Sequence, residues 1–324
     1  MKINGKQKYD EYILIAPGSD YGRAMWSDIG ELENGSVLEK AIASENRLVN
    51  LLHHIHFSFA LNSRVQLPFQ NVWKNAYALS KIHLQPSKKY CIIYTDVSAG
   101  RTDRKYLSDL QKKGNVDTVL VMVNTMVHRK DVLKSRLLFF DYIFSFDQND
   151  CEKYGFIYHP TNYSSVAMMS NEKTEVDAFY VGVSKGRQEK LEDIFARLKK
   201  GGAKCSFYIS RVKKKNVPEI HYNEWLSYKQ VLECIKRANC IVEVMEGQQT
   251  GVTLRTMEAI CYNKRLLTNN RSVRELPFFK TGYIQFFENV SDIDPDFVKD
   301  KSVVDYGYNN EFSPVHLIEH INQI

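Results

Sequence analysis

The chain has 324 residues, more than one hydrophobic core ordinarily organises, so two domains of roughly 150 residues each are expected. Hydrophobic residues at 44% and charged residues at 25% describe a folded globular chain; no apolar run approaches the ~18 residues of a membrane helix and Tyr12–Ala16 is too short for a signal peptide, so a cytoplasmic protein is expected. Six cysteines without a Cys-x-x-Cys pair suit reduced core thiols better than disulfides or a zinc site, and neither metal nor cofactor is expected.

Tyr12–Ala16 reads as a buried strand, ended by the turn formers Pro17-Gly18-Ser19-Asp20. Residues 36–60 carry helical spacing, with Leu38, Ile42, Leu48, Leu51 and Leu52 as apolar positions. His53, His54 and His56 fall in that stretch; positions i, i+1 and i+3 do not share one helix face, which argues against a three-histidine metal site. Helix packing is the plain account of these histidines, and a base toward an acceptor hydroxyl, with His56 as the candidate, is the functional one. Cys91–Tyr94 is the next strand, followed by a loop over Thr95–Gly100 and a helix from Thr102 to Lys113. Thr118–Val123 and Tyr142–Phe146 add two more short apolar runs. Strand alternating with helix in this way predicts an α/β fold with a mostly parallel, doubly wound sheet.

The pattern shifts between Tyr158 and Glu175, where His159-Pro160 and a polar segment precede a fresh strand, so the domains are expected over 1–165 and 166–324. The second half repeats the logic: strands at 178–183, 205–209, 240–245 and 265–268, and helices near 187–199, 224–238 and 252–262. Phe312–Ile324 reads as a terminal helix opening near Ser313-Pro314, able to pack back on the first domain.

Cys240–Ile260 is the most informative stretch, reading as strand, glycine-containing loop and helix. Gly247 and Gly251 allow sharp turns and a close ligand approach, and Thr250 and Thr253 are candidate caps of a helix whose free N–H groups and positive dipole end favour an anion. Arg255 offers charge-assisted hydrogen bonds, and Glu258, one turn on, is a carboxylate suited to a pair of sugar hydroxyls. The plain alternative is a Thr-capped helix with an Arg–Glu surface pair. Lys185 and Arg187 flank Gly186 at the opening of another helix, where two cations and a glycine can approach a diphosphate. Asp20 and Asp96 follow strands, where open α/β sheets bind ligands, and are candidates for a general base as well as for simple turn or cap residues. The closely spaced Asp292, Asp294 and Asp296 read as a turn. Basic clusters at Lys112-Lys113 and at Arg211 with Lys213–Lys215 read first as solvated faces, with an anionic membrane surface or a phosphorylated substrate as the functional alternatives; no nucleic-acid motif accompanies them.

The two αβαβ halves, the second opening on Phe179–Arg187, resemble the GT-B class of glycosyltransferases. Gln249–Ile260 followed by Asn263–Asn270, with Phe144–Asp147 and Tyr154-Gly155 ahead of them, is similar to bacterial enzymes of capsule, exopolysaccharide and lipopolysaccharide assembly. The resemblance implies two Rossmann-like domains facing a cleft, an N-terminal domain for a glycan or lipid-linked acceptor and a C-terminal domain for a nucleotide-sugar donor. It implies that Lys185, Arg187, Gly251, Thr253 and Arg255 serve the donor diphosphate, that Glu258 holds the ribose, and that the work is done at the inner face of the cytoplasmic membrane. Many retaining members carry a second Glu eight residues before the ribose ligand; Thr250 stands there, so the stereochemical course is not implied. A nucleotide-sugar epimerase of the same fold and an inactive scaffold in an assembly complex are the alternatives.

Overall fold

Short apolar runs such as Tyr90-Cys-Ile-Ile-Tyr-Thr95 are buried at every position, which is what a parallel sheet covered by helices on both faces requires. The computed structural model describes residues 2–3, 5–62, 67–166, 173–245, 251–279 and 282–324. The chain divides into two units, Met1–Ser164 with Phe312–Ile324, and Ser165–Glu311.

In the first unit, β1 (Glu11–Ile15), β2 (Gly35–Leu38), β3 (Tyr90–Thr95), β4 (Val116–Met122), β5 (Tyr142–Ser145) and β6 (Ile157–Tyr158) form a parallel sheet in the order β2-β1-β3-β4-β5-β6. The second holds β7 (Val176–Val183), β8 (Cys205–Ser210), β9 (His221–Tyr222), β10 (Ala238–Glu243), β11 (Arg265–Thr268) and β12 (Ile284–Phe286), ordered β12-β11-β10-β7-β8-β9 and again parallel. In each sheet the order reverses once, between β1 and β3 and between β7 and β10. The loops leaving the carboxyl ends of those strands are where an open α/β sheet takes ligands. They carry Pro17–Asp20 and Asp96 in the first unit, and Ser184–Arg187 and the segment leading to Thr253 in the second.

The helices used below are α1 (Asp20–Met25), α2 (Arg47–His56), α3 (Asp96–Gly100), α4 (Gln188–Lys200), α5 (Tyr228–Arg237), α6 (Leu254–Cys261) and α7 (Val315–Gln323). The second core packs Leu191, Ile194, Phe195 and Leu198 of α4 on Phe207, Ile209 and Val242 of the sheet. Each such side chain contributes about 1.5–3 kcal/mol on burial. α7 belongs to the first unit, where Tyr12 and the backbone N–H of Lys8 both donate to the Asn322 side chain.

Two local expectations are corrected, and the aspartate run is a turn as expected. Residues 36–60 are not one helix: Gly35–Leu38 pairs with β1, and α2 begins only at Arg47, where Asn46 caps the backbone N–H of Leu48. The apolar positions 38 and 42 that suggested helical spacing belong to the sheet edge and to a single bridge with Tyr77. Thr95–Gly100 is not a loop but Thr95 followed by α3, closed by a Thr95–Ser98 capping box. Asp292 and Asp294 lie beside two short helical turns; Asp292 accepts from the N–H groups of Glu288 and Asn289, and Asp294 caps the N–H of Asp296.

Candidate functional site

Gly186 (φ +79°) and Lys185 (φ +43°) occupy consecutive left-handed positions after β7, turning the chain tightly into α4. Lys185 is exposed. Arg187 is not offered outward as its sequence position suggested. Its guanidinium donates to the carbonyls of Val183 (2.8 Å), Ser184 (3.2 Å) and Val244, tying the ends of β7 and β10 together. It remains a fixed positive charge at the point where the strand order reverses. Burial raises the Tyr180 hydroxyl, and the charges of both Arg187 and Arg255 act against that rise.

Gly247, Gln249 and Thr250 lie outside the described residues. The strand–loop–helix resumes at Gly251, whose φ of +84° explains the glycine. Its N–H donates to Ser272 Oγ and its carbonyl accepts from Asn270 Nδ2, both at 3.0 Å, so the loop end is pinned to the segment that follows β11 and its N–H is already used. Thr253 caps α6: its Oγ1 accepts from Arg255 N at 3.1 Å and donates to Glu243. What faces an anion there is the positive end of the helix, not the Thr253 hydroxyl.

Glu243, the last residue of β10, escaped the sequence reading. Almost wholly buried, its carboxylate accepts hydroxyls from Thr253, Thr256 (2.9 Å) and Thr268 (2.5 Å), and so fastens the start of α6 to β10 and β11. The signal was present: a carboxylate inside the apolar run Ile241-Val-Glu-Val-Met245 must find partners to be buried at all.

Arg255 and Glu258 form an ion pair at 2.5 Å, but not on the surface, since Glu258 is 0% exposed. Burial pushes its carboxyl up to about 7, against the opposing pull of the Arg255 charge and a hydrogen bond from Tyr228. Oε2 faces Arg255, while Oε1 has no hydrogen-bond partner among the described residues. A buried carboxylate oxygen left unpaired costs about 1–3 kcal/mol, and a ligand that donates to it recovers that cost.

In the first unit the three expected base candidates are occupied otherwise. Asp20, the first residue of α1, is exposed and paired with Arg23 at 2.6 Å. Asp96 is fully buried; its oxygens accept from Val123 N (2.8 Å) and Asn124 Nδ2 (2.9 Å), bracing the end of β4 against α3. His56 spends both ring nitrogens: Nε2 donates to the carbonyl of Pro68 at 2.7 Å and Nδ1 accepts from Trp73 Nε1 at 2.9 Å. That histidine anchors α2 to the segment after it. His53 is different. Its Nε2 donates to the Arg101 carbonyl at 3.1 Å, which leaves Nδ1 as an acceptor, and burial pulls its pKa down to about 4, so the ring is neutral. It lines a cavity of about 370 Å³ at the carboxyl edge of the first sheet. Of the tryptophans, Trp26 is buried, Trp73 packs on His53 and His56, and Trp225 is exposed. No described helix is long and apolar enough to cross a membrane.

No protein-family model and no curated protein matches the sequence. Solved structures do match. The chain is similar over 96% of its length to 94% of an alpha-glucosyltransferase in complex with UDP and a 13-mer DNA containing a HMU base, at 10% identity and a TM-score of 0.54. It is similar over 96% to 96% of the chain in an S. aureus MnaA–UDP co-structure, at 12% identity and a TM-score of 0.51. A Methanocaldococcus jannaschii UDP-GlcNAc 2-epimerase in complex with UDP-GlcNAc and UDP matches over 97% of this chain and 98% of that one, at 10% identity and a TM-score of 0.48. With two parallel six-stranded sheets, each reversing its order once, the chain has the GT-B fold.

Proposed function

We propose that the protein is a glycosyltransferase that binds a nucleoside diphosphate sugar on its second unit and passes the sugar to a glycan or lipid-linked acceptor on its first, in surface polysaccharide synthesis at the inner membrane face. The observation that carries the reading is Glu258: a buried carboxyl with one unpartnered oxygen, ion-paired to Arg255 at the start of α6, where the second sheet reverses its order. The hydroxyls of a ribose are donors of the kind Oε1 lacks. The diphosphate then falls to Arg255, Lys185, the fixed charge of Arg187 and the positive end of α6, which would stabilise the charge developing on the leaving group without requiring a metal. Two structures with TM-scores above 0.5, the alpha-glucosyltransferase and MnaA, hold UDP, in keeping with a uridine donor.

Calorimetric titration of UDP, GDP, CDP and ADP tests this. One nucleotide is expected to bind, with affinity lost in Glu258→Gln and Arg255→Ala; unchanged affinity in both variants would remove the reading. A scaffold without activity is favoured by one fact, that Asp20, Asp96 and His56 are all engaged elsewhere. Failure of every nucleotide to bind would favour it. Incubating the donor without acceptor then separates an epimerase, which converts the sugar, from a transferase, which leaves it or hydrolyses it slowly.

A further inference from the structure

α2 is built inside out. Leu48, Leu51, Leu52 and Ile55, at i, i+3, i+4 and i+7, form one stripe along it, and they are 61%, 53%, 50% and 45% exposed, whereas His53 on the opposite side is 4% exposed. Beyond the helix the same character continues at Leu61, Phe69 and Val72, all exposed. Four outward aliphatic side chains in one stripe mark a surface that is covered in use.

The stripe runs into the cavity that His53 lines, and Leu51 belongs to both. That cavity lies at the carboxyl edge of the first sheet, under the turn at Gly18 and the residues that follow β2. Its polar lining is Lys40, Arg101, His53, His54 and Asn50, and no carboxylate lines it among the described residues. The nearby acids Asp20 and Glu39 are both paired with Arg23. A volume of about 370 Å³ suits a small head group. Two cations, Lys40 and Arg101, on an otherwise largely apolar cavity and an aliphatic stripe leading outward are complementary to one ligand chemistry: an anionic head on a hydrocarbon chain.

We propose that this cavity binds the phosphate head of an amphiphilic acceptor whose hydrocarbon chain lies along the leucine stripe of α2. The proposal rests on the transferase reading for the word acceptor, but the site itself does not.

The test is calorimetric titration of the full chain with monomeric decyl phosphate, inorganic phosphate and decyl maltoside, and separately with UDP. Decyl phosphate is expected to bind at least tenfold more tightly than either of the others. Lys40→Gln with Arg101→Gln should lower its affinity about tenfold, and Leu48→Ser with Leu52→Ser should reduce it toward that of inorganic phosphate, with an unchanged melting temperature as the control for folding. Equal binding of phosphate and decyl phosphate would overturn the lipid assignment, and equal binding of decyl phosphate and decyl maltoside the anion site. A dimer in solution that the leucine variants dissociate would also overturn it, because a second copy would then cover the stripe. Decyl phosphate binding without UDP binding sustains this inference while sinking the transferase reading; UDP binding without decyl phosphate does the reverse.

Discussion

The two units have the same sheet logic and treat their buried carboxylates in opposite ways. In the first, Asp96 is buried and both its oxygens are filled by the backbone of Val123 and the side chain of Asn124. In the second, Glu258 is equally buried, meets Arg255 and the Tyr228 hydroxyl and leaves Oε1 unmet, while Glu243 gathers three threonine hydroxyls. A carboxylate with both oxygens met braces the fold; one with an oxygen unmet still has room for a donor. Burial alone therefore does not separate the two acids, and the partnering of each oxygen does.

Removing the saturated acids should give the largest effects. Glu243→Ala strands three hydroxyls beneath α6 and is expected to cost about 3–5 kcal/mol, read by urea denaturation. Asp96→Ala should cost about 3 kcal/mol while leaving nucleotide affinity unchanged. If nucleotide binding falls with Asp96 instead, the division between bracing and binding acids is wrong.

Lowering the pH from 7 to 5 should push the units apart. His53 and His159 are both pulled down to about 4 by burial, below the unfolded value near 6.5, so their contribution is complete above pH 6.5 and is lost as the unfolded chain takes up protons first. The two together weaken the first unit by about 4 kcal/mol. Glu258 has the opposite sign: a folded value of about 7 against an unfolded 4.5 means the folded chain keeps its proton, and the second unit gains about 2 kcal/mol over the same interval. Melting curves followed by probes in each unit at pH 7, 6 and 5 would show divergence, and parallel movement would refute it.

Glu258→Gln should reduce nucleotide affinity ten- to a hundredfold, about 1.5–3 kcal/mol, and leave the melting temperature unchanged or higher above pH 7, where the carboxylate would otherwise be ionised in its buried place. Smallest of all, Asp20→Asn should change stability by less than about 0.5 kcal/mol and leave activity intact, since the pair with Arg23 is a solvated surface contact.

Much of this was legible in the residues. Eight strands showed themselves as short apolar runs, and the parallel, doubly wound layout followed from their alternation with helices. β2 did not, because Leu38 and Ile42 happen to extend the spacing of the Leu48–Leu52 stripe and an edge strand of four residues is too short to contradict it. The same stripe was a poor guide to the core, since helical spacing reports that one face is apolar and not whether that face is covered. Glu243 was missed because attention to an apolar run passes over the charge inside it. The roles of Asp96 and His56 depended on partners 27 residues away and on a tautomer, neither of which any local pattern encodes.

The return of α7 to the first unit sets an order for biosynthesis. Residues 165–311 are contiguous, so the second unit can fold as soon as they have emerged, whereas the first must hold its sheet until Phe312–Ile324 arrives and Asn322 meets Tyr12. The domain begun first is completed last, and the nascent chain carries an unfinished first core, aliphatic stripe included, through the synthesis of the whole second domain.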